Sequence, residues 1–210
     1  MKALTIGATG KDLLQILLNS EAFHQVEIFV RKDFPLKHPK LTTRVIDFNQ
    51  PEQWAYWVSG DVLFSCLGTT LKAAGSQEAQ YRIDFTYQYE FAQAARNNGV
   101  SCYALVSSLG ASPTSRMFYL RMKGELEQAV LRLGFEKTLI FQPPSLIRQH
   151  PRASEKLAIS VLKVLNALGL FLSQKPLSTQ VLARAMANAP RKISEETAFL
   201  LRPQIETLAQ

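Results

Sequence analysis

Four residues in this sequence stand at spacings that could move a proton. Ser107 and Ser108 close a short β-type run, and Tyr119 and Lys123 follow a dozen residues later, four apart on one face of a helix. An ammonium beside a phenol favours the phenolate and lowers the phenol pKa from about 10. A tyrosine so tuned is a usable acid or base near neutral pH. A serine hydroxyl nearby would polarise a carbonyl; the spacing does not separate Ser108 from Ser107. Tyr-x-x-x-Lys also arises by chance on many helices, so the reading depends on what precedes it.

What precedes it is a dinucleotide-type turn. The strand Lys2 to Ile6 runs into Gly7-Ala8-Thr9-Gly10. Glycines there let the backbone turn tightly and approach a pyrophosphate resting on a helix N-terminus. Gly7, Thr9 and Gly10 are therefore expected cofactor contacts. The third glycine of the fingerprint should come three residues after Gly10, where Leu13 stands, as if about three residues were dropped between Gly10 and Lys11. Either the turn is shortened or the sequence omits part of it. Arg31-Lys32 ends the second strand, about twenty residues past the turn, where an NAD-preferring site carries Asp or Glu. Two adjacent cations instead suit a ribose 2′-phosphate, so NADP(H) is expected over NAD(H). Leu67-Gly68-Thr69-Thr70 follows the fourth strand and offers backbone where the cofactor would pass.

The elements that must position these residues alternate. Strands are read at Lys2 to Ile6, Val26 to Val30, Arg44 to Ile46, Asp61 to Cys66, Ser101 to Ser107 and Glu136 to Phe141. A long helix over Gln77 to Asn97 carries Ile83, Tyr87, Phe91 and Ala95 on one face. Another covers Ser115 to Leu133 and ends at Gly134. Alternation implies crossovers and a parallel sheet, and runs such as Val62-Leu63-Phe64 suit strands covered on both faces. The expected fold class is α/β: a Rossmann-like doubly wound parallel sheet with helices on both faces and a small C-terminal helical substrate region. One domain over 1–210 is expected, with about 145–210 forming the substrate side. After Pro143-Pro144, Ser154 and Glu155 open an apolar helix. Ser178 caps another, with Val181, Leu182, Ala185 and Met186 inward.

On these motifs the chain resembles the short-chain dehydrogenase/reductase superfamily, through Ser107-Ser108-Leu109-Gly110-Ala111 and Tyr119-Leu120-Arg121-Met122-Lys123-Gly124-Glu125. Within it, Cys66-Leu67-Gly68-Thr69-Thr70, Val45-Ile46-Asp47-Phe48 and Phe141-Gln142-Pro143 are similar to the atypical branch that holds the Tat-interactive-protein-like oxidoreductases. The resemblance runs from Lys2 to about Arg152 and weakens towards Ala189. It implies an NADP-binding Rossmann fold with Tyr119 as proton donor or acceptor. Lys123 would hold the nicotinamide ribose, and Ser108 or Ser107 would orient the carbonyl. Leu67, Gly68 and Leu146 would contact the cofactor through backbone, and Arg152 would close over it. The loop Ile147-Arg148-Gln149 is about two residues shorter than the family pattern.

Composition bounds the rest. The 210 residues are 47% apolar and 20% charged, which excludes disordered and fibrous classes. Two cysteines exclude a disulfide scaffold and fit a reducing compartment. With no leader visible, a cytoplasmic location is expected. The longest apolar run, Leu157 to Leu172, is short for a membrane span and carries Lys163. His24, His38 and His150 lack metal-ligand spacing, so no metal is expected. A net charge of +7 suits an anionic partner. Without a basic helix bearing interleaved aromatics, nucleic acid is not expected.

The function these observations support is an NADP(H)-dependent oxidoreductase on a small carbonyl or alcohol substrate. The alternative is a non-catalytic NADP(H)-sensing regulatory or assembly protein. The Leu157 to Leu172 run could wall the pocket or support a homodimer.

Overall fold

The computed structural model describes residues 1–7, 11–147 and 176–210. Within them the expected strands form one sheet. β1 (Lys2–Ile6), β2 (Gln25–Val30), β3 (Leu41–Val45), β4 (Val62–Ser65), β5 (Cys102–Val106) and β6 (Lys137–Phe141) lie in the order β3-β2-β1-β4-β5-β6. All neighbouring pairs are parallel. The order reverses at β1, which pairs with both β2 and β4, so the ligand crevice lies beyond the carboxyl ends of β1 and β4.

Each face of the sheet has its own apolar layer. Under one face, Leu13, Leu14, Leu17 and Leu18 of α1 (Lys11–Asn19) pack with Phe64 and Phe141. Leu182, Ala185 and Met186, on the helix α6 described below, complete that layer. Under the other, Phe91 and Ala95 pack with Leu63, Leu105 and Leu126. Two covered faces explain why the central strands read as unbroken apolar runs.

The remaining helices are α2 (Leu71–Ala74), α3 (Gln77–Tyr81), α4 (Tyr87–Asn97), α5 (Phe118–Leu131), α6 (Thr179–Lys192) and α7 (Arg202–Leu208). The helix expected over Gln77 to Asn97 is interrupted by a π-helical turn, Arg82–Thr86. That turn shifts the inward stripe, so Gln80, Asp84 and Gln88 are buried ahead of Phe91. Ile83 and Tyr87, expected on the inner face, are only partly buried. Ser178 caps α6 as expected, its hydroxyl accepting from the Gln180 N–H at 3.3 Å. Gly134 follows α5 with φ +68°.

Three strands are additions to the sequence reading. β7 (Leu146–Ile147) and β8 (Leu177–Ser178) pair as a two-stranded sheet, and β9 (Thr197–Leu200) pairs parallel with β6 as a seventh strand of the main sheet. The helix expected from Ser154 and the run Leu157 to Leu172 lie outside the described residues.

Candidate active site

A cavity of about 600 Å³ opens at the carboxyl ends of the central strands. Its floor is Cys66 to Thr70 after β4, and its walls are Val106 to Ser108 after β5 and Pro143 to Leu146 after β6. Tyr119 and Lys123 enter from α5. Leu182, Ala183 and Met186 of α6 close it with an apolar wall.

Two glycines make the close approaches. Gly7 has φ +103°, and a Cβ there would lie 2.4 Å from the Cys66 carbonyl group. The dinucleotide-type turn is thus pressed against the end of β4 in a way only glycine allows. Gly124, on α5 beside Lys123, is the second. A Cβ there would lie 2.3 Å from the Ser112 carbonyl carbon. Its absence lets α5 meet the loop after β5, and the Ser112 N–H donates to the Leu120 carbonyl at 3.0 Å. That contact brings Tyr119 to Ser108.

The two serines part company. Ser107 is buried and its hydroxyl donates to the Glu127 carboxylate. Ser108 is partly buried and lines the cavity beside Tyr119, its hydroxyl donating to the Leu109 carbonyl at 3.4 Å. Ser107 lines it too, but its hydroxyl is held by Glu127.

Lys123 is 2% exposed, yet it lines the cavity. Burial pushes its amine below the usual lysine range, while Asp84, Glu127 and Cys66 push it back up. Among the described residues no carboxylate oxygen lies within 4.0 Å of it. Tyr119 is 39% exposed at the cavity rim. Its phenol is held above the usual tyrosine value, first by burial and then by the Asp84 charge, with the Ser108 hydroxyl pulling the other way. The sequence argument expected Lys123 to lower this phenol, and the direction is the opposite. The Lys123 charge lies between two carboxylates, and burial disfavours the phenolate.

Asp84 sits on the π turn and is fully buried. Its Oδ1 accepts from the Thr69 N–H at 2.8 Å, and its Oδ2 has no hydrogen-bond partner. Burial raises its carboxyl above the usual range. Gln80 Nε2 donates to the Thr69 carbonyl at 3.2 Å, and Gln88 Nε2 to the Asp84 carbonyl at 2.6 Å. The π turn therefore grips the loop Leu67-Gly68-Thr69-Thr70 from behind. The Cys66 thiol is pushed up to about 12 by burial, which makes it an inert lining group.

Leu67, Gly68 and Leu146 line the cavity. Arg31 and Lys32 are exposed directly after β2. Thr9, Gly10 and Arg152 lie outside the described residues. The sequence reading missed Glu127, although it stands four residues after Lys123 and the same spacing rule would have found it. It also missed Asp12, whose Oδ2 accepts from the Thr179 hydroxyl at 2.5 Å and ties α1 to α6 at the cavity edge. The glycine-only turn at Gly7 and the buried Lys123 cation at a switch point fit a dinucleotide cofactor.

Residues 6–151 match the family model described as NAD(P)H-binding. The chain belongs to the NAD(P)H-binding family. It is 30% identical over 207 residues to protein FMP52-1, mitochondrial, of Scheffersomyces stipitis, covering 93% of this chain and 91% of that one. It is 41% identical over 150 residues to protein fmp52, mitochondrial, of Aspergillus clavatus, covering 66% and 63%. The structure of MoeE5 with UDP-glucose and NAD superimposes with a TM-score of 0.71 at 14% identity, covering 96% of this chain and 76% of that one. That likeness is one of fold. The relatives' mitochondrial names overturn the cytoplasmic location expected from the sequence. A reducing environment and an unremarkable first strand do not specify a compartment.

Proposed function

We propose that the protein is an NADP(H)-dependent oxidoreductase acting on a small carbonyl or alcohol. The observation that carries this reading is the convergence of Ser108, Tyr119 and Lys123 on one cavity at the sheet's switch point. When bound, the nicotinamide cofactor supplies or accepts the hydride. Gly7, Leu67, Gly68 and Leu146 would hold it by backbone, together with Thr9 and Gly10 of the turn and Arg152. Arg31 and Lys32 would take its 2′-phosphate. Lys123 would hold the ribose. Ser108 Oγ would hold the substrate oxygen, and Tyr119 would pass a proton between its Oη and that oxygen.

A phenol held above its ordinary value stays protonated at neutral pH. The resting site therefore holds the proton that carbonyl reduction requires, and burial makes Tyr119 a weaker acid than a free phenol until substrate and cofactor fill the cavity. The relatives' names extend the reading to a mitochondrial setting.

Two measurements test it. Calorimetric titration is expected to show NADPH binding more tightly than NADH, with the preference lost in Arg31→Glu/Lys32→Glu. NADPH oxidation across a carbonyl panel is expected to reveal turnover that Tyr119→Phe abolishes. Cofactor binding with no turnover on any carbonyl or alcohol would favour the sensing protein. Absence of binding by either nucleotide would remove both readings.

A further inference from the structure

Glu127 stands behind the site and takes no part in the chemistry proposed above. It is 6% exposed and lies on α5 one turn after Lys123 and two after Tyr119, so the three share a face. Its Oε1 accepts from the Ser107 hydroxyl and from Gln142 Nε2 at 2.9 Å, and its Oε2 lies 3.1 Å from the same nitrogen. Ser107 follows β5 and Gln142 follows β6, so one carboxylate ties α5 to the ends of two strands. A glutamine could keep the two bonds at Oε1 without burying a charge, which is costly, and would lose the one at Oε2. What the charge adds is its field at Lys123.

Lys123 is faced by Asp84 from the π turn, Glu127 from its own helix and Cys66 from the end of β4. Tyr119 precedes it by one turn. With the carboxylate oxygens beyond 4.0 Å, the ammonium is stabilised without being locked into a contact ion pair. We propose that Glu127 is a positioning residue for the Tyr119 and Lys123 pair: its carboxylate supports the Lys123 side chain from one turn away on the same buried helix face, and its hold on Ser107 and Gln142 ties α5 to the ends of β5 and β6. The consequence for turnover rests on the oxidoreductase reading; the charge coupling does not.

The test is nuclear magnetic resonance titration of the full chain labelled at lysine Cε, with the Lys123 signal assigned by its loss in Lys123→Met. Glu127→Gln is expected to lower the Lys123 midpoint by about one pH unit, and Glu127→Asp by less. NADPH affinity, read by calorimetry, is then expected to weaken more at pH 9 than at pH 7. A purely structural Glu127 predicts the reverse order, with the isosteric glutamine as the milder change. An unchanged Lys123 midpoint in folded Glu127→Gln overturns the proposal.

Should Glu127→Gln fail to fold, the reciprocal titration decides. With glutamate side-chain labelling, Lys123→Met is expected to raise the Glu127 midpoint, because coupling between two groups is mutual. No rise overturns the proposal. Coupling without NADPH binding would sink the oxidoreductase reading alone. Turnover without coupling would sink this inference alone.

Discussion

The molecule buries charge in two places, and the two are built oppositely. In the sheet, Glu27 meets two cations in direct contact, Lys2 at 2.9 Å and Arg44 at 2.6 Å. Both cations keep a solvent-facing part, and Arg44 also lies 4.7 Å over the Trp57 ring. Among the described residues at the cavity, Lys123 is the one cation beside two carboxylates, all three buried and neither carboxylate in contact with it. Contact satisfies the buried Glu27 carboxylate in the first cluster, and the surplus positive charge sits on the partly exposed Lys2 and Arg44. Separation leaves the second with a field directed into a cavity. Burial of a charge does not mark a functional site; burial without contact, beside open space, does.

This contrast can be broken at either end. The largest expected effect is on turnover: Tyr119→Phe should lower it by about 100-fold or more while NADPH affinity changes by less than about threefold. A variant at near wild-type rate would remove the cavity cluster from chemistry. Next is Glu27→Ala, expected to cost about 1–3 kcal/mol in urea unfolding, the lower part because its partners can rehydrate. NADPH affinity should stay within about twofold, and a large loss would collapse the distinction between the clusters.

Gly124→Ala should follow. Its Cβ would meet the Ser112 and Pro113 backbone at 2.3–2.4 Å, which cannot be relieved by a side-chain rotation. A stability cost of about 1–3 kcal/mol is expected, with turnover reduced because α5 carries Tyr119.

The smallest effect is a slope. Burial raises the Asp84 carboxyl above 3.8, so the folded chain binds its proton more readily than the unfolded chain. Between 3.8 and the raised value, stability therefore falls as pH rises through the window. Asp84→Asn should flatten that slope, read as unfolding midpoints at pH 4, 5, 6 and 7. Identical slopes would show that Asp84 carries no raised carboxyl.

The parallel sheet was legible because strands alternate with helices and the central strands are apolar runs without polar alternation; β3, Leu41-Thr42-Thr43-Arg44-Val45 and only partly buried, was read from Arg44 and not from Leu41. β9 was not, because Thr197-Ala198-Phe199-Leu200 is a short edge strand with Phe199 outward and no covered second face. The π turn was not, because one inserted residue leaves the 3.6-residue period almost intact while rotating Asp84 inward. The candidate serines, tyrosine and lysine were named from their spacing together with the dinucleotide-type turn and alternating strands that precede them. The direction of the Tyr119 shift was not, since it depends first on burial in the folded chain and then on Asp84, thirty-five residues away in sequence. The choice between Ser107 and Ser108 likewise waits on Glu127.

The packing of α6 against α1 has a consequence for biogenesis. The leucines of α1 are made first, and the residues that cover them, Leu182 to Met186, are made near the end. At typical ribosomal speeds of about 5–20 residues per second, that apolar stripe waits roughly ten to thirty seconds for its lid. The sheet's last strand arrives later still. Until α6 emerges, the apolar stripe of α1 in a nascent chain stays open to solvent.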